Sequence, residues 1–183
     1  MAIKTFTTGE VLTASDTNTF LANAGLDYIT QFSFTGQTGV NIDNCFNATW
    51  RNYLIVADLT SSASETIIYQ MRAGGTTNTG LNTDSLQTYM IWGSTTIYGN
   101  QLTNQNYAYF GYSNTNGMGT SLTLWAPQLA KYTLSTNENV LQDYRSTSWS
   151  QHKVNTQYDG IRIASFGTAT LTGRVVIYGY RIG

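Results

Sequence analysis

Two kinds of hydrophobic pattern divide the chain. Before residue 30 the apolar residues recur at the spacing of a helix, and after it they alternate with polar residues at a period of two. The first pattern predicts one helix and the second predicts a series of short strands. We therefore expect an N-terminal segment over 1–30, serving attachment or oligomerisation, and a β domain over 31–183.

The predicted helix begins near Thr13 or Ser15, either of which can cap the first turn, and runs to Ile29. Its narrow apolar stripe consists of Phe20, Leu21, Ala24 and Tyr28. An isolated helix of this length is only marginally stable in water, so the stripe needs a partner. That partner is either the helix's own domain, or copies of the helix or a host structure.

Eight segments of the β domain have the length and composition of strands. They are 52–60, 66–72, 86–91, 107–112, 121–125, 130–135, 161–166 and 171–181. Some are apolar on both faces and others alternate cleanly, and both kinds fit two stacked antiparallel sheets. No second helix is predicted that could connect parallel strands. The predicted fold is therefore mainly β, with an N-terminal helix followed by an antiparallel β-sandwich of jelly-roll type.

The composition predicts a polar surface with little charge. Thr, Gly, Asn, Ser and Gln make up nearly half of the 183 residues, whereas charged residues are only 10%. Nine Lys plus Arg against ten Asp plus Glu, with no basic cluster, do not match the charge pattern of nucleic-acid binding. No apolar run approaches the roughly 20 residues that cross a bilayer. We expect neither nucleic acid nor membrane insertion, and no signal peptide is recognised at the N-terminus.

The chain offers few residues for catalysis or metal binding. Cys45 is the one cysteine and His152 the one histidine, so the sequence contains no His/Cys set for zinc. His152 would have to be the base of any nucleophilic triad, and a surface or strand-face histidine is the simpler interpretation. Ten acidic residues neither support nor exclude a glycosidase pair. We expect no catalytic residues, no metal and no cofactor.

Aromatic residues are most dense between positions 92 and 112, where they alternate with Asn and Gln. Tyr and Trp rings stack on sugar rings, and neighbouring amides can orient a ligand by hydrogen bonding. The alternative is that these rings fill the core or cover a sheet face. The candidates for ligand contact are Trp92, Tyr98, Tyr107, Tyr109 and Tyr112.

The first 25 residues contain a motif of the form Gly-x-Val-Leu-Thr-Ala, followed by Asn-x-Phe-Leu. Its positions are Phe6, Gly9, Val11, Leu12, Thr13, Ala14, Asn18, Phe20 and Leu21. The motif resembles the opening of many tailed-bacteriophage virion proteins of tail-fibre, minor-tail and head-fibre type. Thr17 departs from the resemblance, because such proteins often carry an apolar residue there.

The resemblance implies a structural virion protein without enzymatic activity. It also implies a homotrimer that is held to other tail or capsid proteins by its N-terminal segment and is assembled in the host cytoplasm. Our first expectation is a fibre or tail-tip component that presents the sandwich for binding host-surface glycan. A capsid decoration or head-fibre protein that coats the shell without receptor binding is the alternative, and a glycan-cleaving enzyme is a distant third.

Overall fold

A computed structural model of the protein describes residues 7–11, 13 and 25–180. Within these residues the chain forms thirteen strands in two antiparallel sheets and contains no helix. The prediction of a mainly β, antiparallel, sandwich-like fold is thereby confirmed. No helix in the described part is long and apolar enough to span a membrane.

The strands have the following bounds in chain order: β1 Leu26–Gln37, β2 Gly39–Ile42, β3 Asn52–Ser61, β4 Glu65–Ala73, β5 Thr76–Thr77, β6 Thr83–Ile91, β7 Tyr98–Gln105, β8 Ala108–Ser113, β9 Met118–Trp125, β10 Thr133–Leu141, β11 Tyr144–His152, β12 Gly160–Ser165 and β13 Leu171–Tyr180. The larger sheet has the order β1, β13, β3, β9, β10, β11, β6, β7. The smaller sheet has the order β2, β12, β4, with β5 and β8 both paired to β4. Two hairpins, β6 with β7 and β10 with β11, therefore form one end of the larger sheet.

The core of the sandwich is apolar beneath β3, β9 and β13. These strands pack their inner faces against the smaller sheet. The largest fully buried side chains are Tyr53, Tyr158, Phe110, Ile55, Leu59, Ile67, Leu122, Leu124, Ile161, Ile163, Leu171 and Ile177. Burial of each large apolar side chain contributes about 1.5–3 kcal/mol to folding, so this half of the sandwich is the main source of stability.

The inner face of the two hairpins is polar. Its buried side chains include Thr83, Ser85, Gln87, Ser135, Asn137, Asn139, Ser146, Ser148 and His152. Buried polar groups destabilise a fold unless they are hydrogen-bonded. Asn137 Nδ2 donates to Thr120 Oγ1 over 2.8 Å, and Tyr69 OH lies 2.6 Å from Ser135 Oγ. These bonds tie β10 to β9 and to the smaller sheet, so the polar half is fixed by hydrogen bonds.

The predicted helix is wrong at its C-terminal end. Tyr28 lies in β1, opposite Tyr178 of β13, and the two rings meet edge to face with centroids 6.2 Å apart. The spacing of Tyr28 from the preceding apolar residues matches the period of a helix only by coincidence. Pairing with β13 decides its conformation, because β13 would otherwise have an open edge.

The rest of the predicted stripe, Phe20, Leu21 and Ala24, lies outside the described residues, as does most of the phage-like motif. Strand β1 begins at Leu26, before the domain boundary predicted at residue 30. Residues 26–30 therefore belong to the larger sheet.

All eight predicted strand segments overlap strands of the structure, namely β3, β4, β6, β8, β9, β10, β12 and β13. The strands that were not predicted are β1, β2, β5, β7 and β11. Two of these, β7 and β11, belong to the polar hairpins.

Candidate functional site

A cavity of about 470 Å³ opens between β8 and the two hairpins of the larger sheet. Its lining contains four tyrosines, which are Tyr89, Tyr109, Tyr112 and Tyr144. It also contains the carboxamides of Gln87, Asn100 and Asn114. The remaining lining residues are Thr66, Ile91, Gly111, Leu141 and Asp143. We call this site the tyrosine cavity.

The tyrosine rings form a continuous aromatic wall. Tyr89 stacks on Tyr98 and on Tyr144, with centroids 5.1 and 5.2 Å away. Tyr144 in turn contacts Tyr112 at 5.4 Å with its ring tilted by 39°. Such offset contacts stabilise aromatic pairs beyond the area that they bury. The wall is therefore held in place before any ligand arrives.

A bulge in β8 brings Tyr109 and Tyr112 to the same cavity. In a regular strand, residues three apart lie on opposite faces. The pairing of β8 with β4 shifts register between Ile67, which faces Gly111, and Ile68, which faces Tyr109. The intervening Phe110 enters the core and is fully buried. Because of this shift, both tyrosines line the cavity.

Gly111 and Asn139 fix the shape of the bulge. Gly111 has φ of +153°, and a Cβ atom at this position would lie 2.8 Å from Cγ of Asn139. The Asn139 side chain is fully buried on β10, and its Oδ1 accepts a 3.1 Å hydrogen bond from the backbone N–H of Tyr112. The side chain thus replaces a backbone partner where the strand departs from regular geometry.

The polar groups of the cavity suit a ligand that carries hydroxyls. Gln87 is 4% exposed, and its Oε1 accepts a 3.5 Å hydrogen bond from Asn100 Nδ2. Its Nε2 makes no hydrogen bond within the part of the chain that the structure describes. A nearly buried donor beside a cavity gains free energy when a ligand oxygen accepts its hydrogen.

The hydroxyls of Tyr109 and Tyr144 stay protonated at neutral pH. Burial raises the pKa of Tyr144 to about 12, and it raises the pKa of Tyr109 as well. Each hydroxyl can therefore donate one hydrogen bond and accept others. Asp143 is the one charged residue in the lining, and none of the described lining residues is Lys or Arg.

The structure brings together three of the five predicted contact residues. Tyr109 and Tyr112 line the cavity, and Tyr98 stacks on the lining residue Tyr89. Tyr107 lies elsewhere, with its ring 5.2 Å from that of Phe166. Trp92 is 65% exposed in the turn after β6 and does not line the cavity.

Sequence reasoning missed Gln87, Tyr89 and Tyr144. Tyr89 belongs to a strand that was predicted, and the alternation of Gln87, Tyr89 and Ile91 on one face could have identified it. Tyr144 begins β11, whose Ser- and Thr-rich sequence carries no apolar alternation. Its place in the cavity wall therefore had no detectable signal.

His152 is a strand-face histidine, but it lies inside the protein and not at the surface. It is 6% exposed on β11, with Nδ1 2.8 Å from Thr83 Oγ1 and Nε2 2.5 Å from Tyr158 OH. Burial lowers its pKa to about 4. The ring is therefore neutral at pH 7, and both of its nitrogens are already hydrogen-bonded to hydroxyls.

No group of three or more His, Cys, Asp or Glu side chains suited to a metal ion occurs in the described residues. Comparison with known proteins adds no relative: no family model, no curated protein and no solved structure matches the chain. The case for a function rests on the geometry of the tyrosine cavity and on the sequence.

Proposed function

We propose that the protein is a structural component of a tailed-phage virion, in a fibre or tail tip, whose β-sandwich binds a neutral host-surface glycan in the tyrosine cavity. The observation that carries the binding proposal is the aromatic wall of Tyr89, Tyr112 and Tyr144 beside the nearly buried Gln87. Aromatic faces receive the apolar face of a sugar ring, and amides and hydroxyls bond its oxygens.

The size and charge of the cavity favour a neutral saccharide. Its volume of about 470 Å³ falls within the range of small-molecule sites, roughly 300–1,000 Å³. Asp143 repels an anionic sugar, and no lining cation is present in the described residues to attract one. A neutral pyranose chain is not repelled by Asp143 and does not need a cation to bind it.

The proposal describes a binding module without enzymatic activity. Glycoside hydrolysis normally uses two carboxyl groups that flank the scissile bond. Among the described lining residues Asp143 is the single acid, which favours binding over cleavage.

We also propose that the sandwich is a jelly roll. The strand orders β1-β13-β3-β9 and β2-β12-β4-β8 support this assignment, because the first and last strands are neighbours and the chain crosses repeatedly between the sheets. Lectin and viral capsid domains are among the known jelly rolls. This likeness is at the level of fold alone, and the site carries the functional argument.

Attachment through residues 1–30 and trimeric assembly are proposed from the resemblance of the N-terminal motif. Sizing chromatography with light scattering tests the assembly of the isolated protein. The mass of a trimer is expected, and a stable monomer at micromolar concentration contradicts the proposal. Removal of residues 1–24 should weaken assembly and leave the sandwich folded.

A capsid decoration protein is the second candidate, and one observation favours it. The outer face of the larger sheet exposes many large apolar side chains: Tyr28, Val56, Leu86, Met90, Trp125, Leu134, Val140 and Trp149. Large exposed apolar surfaces are typical of protein interfaces. Immunogold labelling of particles separates the candidates, since a fibre or tail-tip protein labels the tail and a decoration protein labels the capsid.

A glycan array tests the binding proposal with three variants of the full chain. Wild-type protein should bind neutral glycans, and both Gln87→Leu and Tyr112→Ala should lower affinity at least about tenfold. Tyr132→Ala is the matched control, because Tyr132 is half exposed and does not line the cavity. Failure to bind any neutral glycan, or equal binding by all three variants, contradicts the proposal.

A further inference from the structure

A second concave site lies on the opposite face of the same hairpins. It is a groove of about 490 Å³ on the outer face of β11, β6 and β7. Its outward-facing lining residues are Trp149, Gln151, Leu86, Asp84 and Gln101, and Ser85, Leu102 and Ser150 complete the lining. We call this site the Trp149 groove.

Strand register explains how the groove is formed. Trp149 of β11 lies opposite Leu86 of β6, and Leu86 lies opposite Gln101 of β7. The next outward-facing row contains Gln151 opposite Asp84. The groove runs between the two rows, so an apolar wall faces a polar one.

The apolar wall is exposed to solvent. Trp149 is 45% exposed and Leu86 is 49% exposed. An exposed indole is large, rigid and amphipathic, and can contribute substantial contact area with little loss of side-chain freedom. It therefore provides a platform for an apolar ring face.

The polar wall is held in place by a bulge between β6 and β7. The register shifts between Thr83 and Ser85, and Asn104 adopts a left-handed φ of 53°. The backbone N–H of Asn104 donates to Asp84 Oδ1 over 2.9 Å. Lys153 Nζ bonds both Asp84 Oδ1 and Asn104 Oδ1, each over 2.9 Å.

These bonds leave the groove without an uncompensated charge. The carboxylate of Asp84 is paired with Lys153 and also accepts a 3.1 Å hydrogen bond from Gln151 Nε2. The side-chain amide of Gln101, in contrast, makes no hydrogen bond to the described residues. A neutral ligand with hydroxyl groups can use the Gln101 amide without disturbing the ion pair.

We propose that the Trp149 groove is a second saccharide site, in which a neutral pyranose ring stacks on Trp149 and its hydroxyls bond to Gln101. This proposal adds a second site to the proposed function, and the Trp149 groove and the tyrosine cavity have only the class of ligand in common. Leu86 faces the groove and the adjacent Gln87 faces the tyrosine cavity, so one domain presents saccharide sites on both faces of β6. Two weak sites on one domain increase avidity for a polymeric glycan.

Tryptophan fluorescence of the full chain tests this proposal. The probes are maltohexaose, cellohexaose, mannohexaose and chitohexaose, each titrated to about 10 mM because single saccharide sites bind weakly. At least one probe should shift the emission of the wild-type protein. The shift should disappear in Trp149→Ala, and Gln101→Ala should weaken the binding about tenfold.

Two further variants separate this site from other sources of the signal. Trp92→Ala is the matched control, because Trp92 is exposed but lies outside the groove, and it should keep the shift. Tyr112→Ala should also keep the shift, so a failure of the tyrosine cavity to bind would leave the result at the groove unchanged. Unfolding midpoints of Trp149→Ala, Gln101→Ala and Trp92→Ala should match wild type, as expected for exposed side chains.

The proposal is overturned if none of the four probes changes the emission. It is also overturned if Trp149→Ala keeps the shift, or if Tyr112→Ala alone removes it, since the signal would then come from the tyrosine cavity.

Discussion

The backbone N–H of Tyr112 donates a hydrogen bond to the side chain of Asn139, with a donor–acceptor distance of 3.1 Å. This bond joins β8 of the smaller sheet to β10 of the larger one at the point where the tyrosine cavity opens. The Nδ2 atom of the same side chain donates a 3.4 Å hydrogen bond to the carbonyl oxygen of Gly119 in β9. One buried side-chain amide therefore connects β8, β9 and β10.

Substitution of Asn139 should therefore destabilise the protein and loosen the cavity wall. Asn139→Ala leaves the Tyr112 N–H without this acceptor and is expected to lower the free energy of unfolding by about 1–3 kcal/mol. Chemical denaturation measures the change. Asn116→Ala is the control: its exposed bond to Gln142 should contribute less than about 0.5 kcal/mol. Equal stability of Asn139→Ala and wild type would refute this role.

Gly111→Ala should be destabilising because of both its backbone conformation and its surroundings. The positive φ costs an L residue about 1–3 kcal/mol, and the added methyl group would overlap the Asn139 side chain. Gly119→Ala offers a matched comparison, since a Cβ there meets no atom within 4 Å. Thermal or chemical unfolding measures the stability of both variants. A similar loss of stability in the two would show that the conformation and packing of Gly111 at the bulge are not the cause.

Stability should fall in mild acid because of His152. Burial lowers its folded-state pKa from 6.5 to about 4, so the unfolded chain binds a proton between these values while the folded protein does not. The loss begins as the pH falls through 6.5 and continues to about 4, at up to roughly 1.4 kcal/mol per pH unit. Denaturation of wild type and His152→Gln across this window measures it. An equal pH slope in the variant would contradict the assignment.

Asp143 should select against anionic saccharides. It is the one acidic residue among the lining residues that the structure describes, so removal of its charge reduces repulsion in the cavity. Asp143→Asn is expected to raise affinity for oligomers of colominic acid several-fold at low ionic strength and to leave neutral probes unchanged. Asp143→Glu, which keeps the charge, should behave as wild type. A gain of affinity for neutral and anionic probes alike would mean that charge is not responsible.

The sequence was informative where burial is apolar. Ile55, Leu122 and Ile177 are fully buried. β9 was predicted from clean alternation, β3 from a run that is apolar on both faces, and β13 from its length and composition. The inner faces of β10 and β11 instead bury Asn137, Asn139 and several serines, and Asn137, Asn139 and Ser135 form hydrogen bonds to other strands. A hydrophobic pattern cannot report a polar interior, and for this reason β11 was missed.

The residues of the tyrosine cavity were only partly predictable from the sequence. Tyr109 and Tyr112 stood out as aromatic residues among amides, but their shared cavity depends on the bulge at Phe110, which breaks the period of two. Tyr144 comes from a hairpin about 30 residues further along the chain, and only pairing of β11 with β6 brings it beside Tyr89. Contacts of this kind depend on sheet topology, and the local sequence does not specify it.

NMR of protein with ¹³C-labelled tyrosine rings shows whether the tyrosine cavity binds a neutral saccharide. The full chain is titrated with the neutral oligosaccharide that gives the strongest array response. Binding in the cavity should shift the ring resonances of Tyr89, Tyr109, Tyr112 and Tyr144, and it should leave those of the remote Tyr28 and Tyr132 unchanged. Unchanged cavity resonances, or shifts confined to the remote rings, would contradict it.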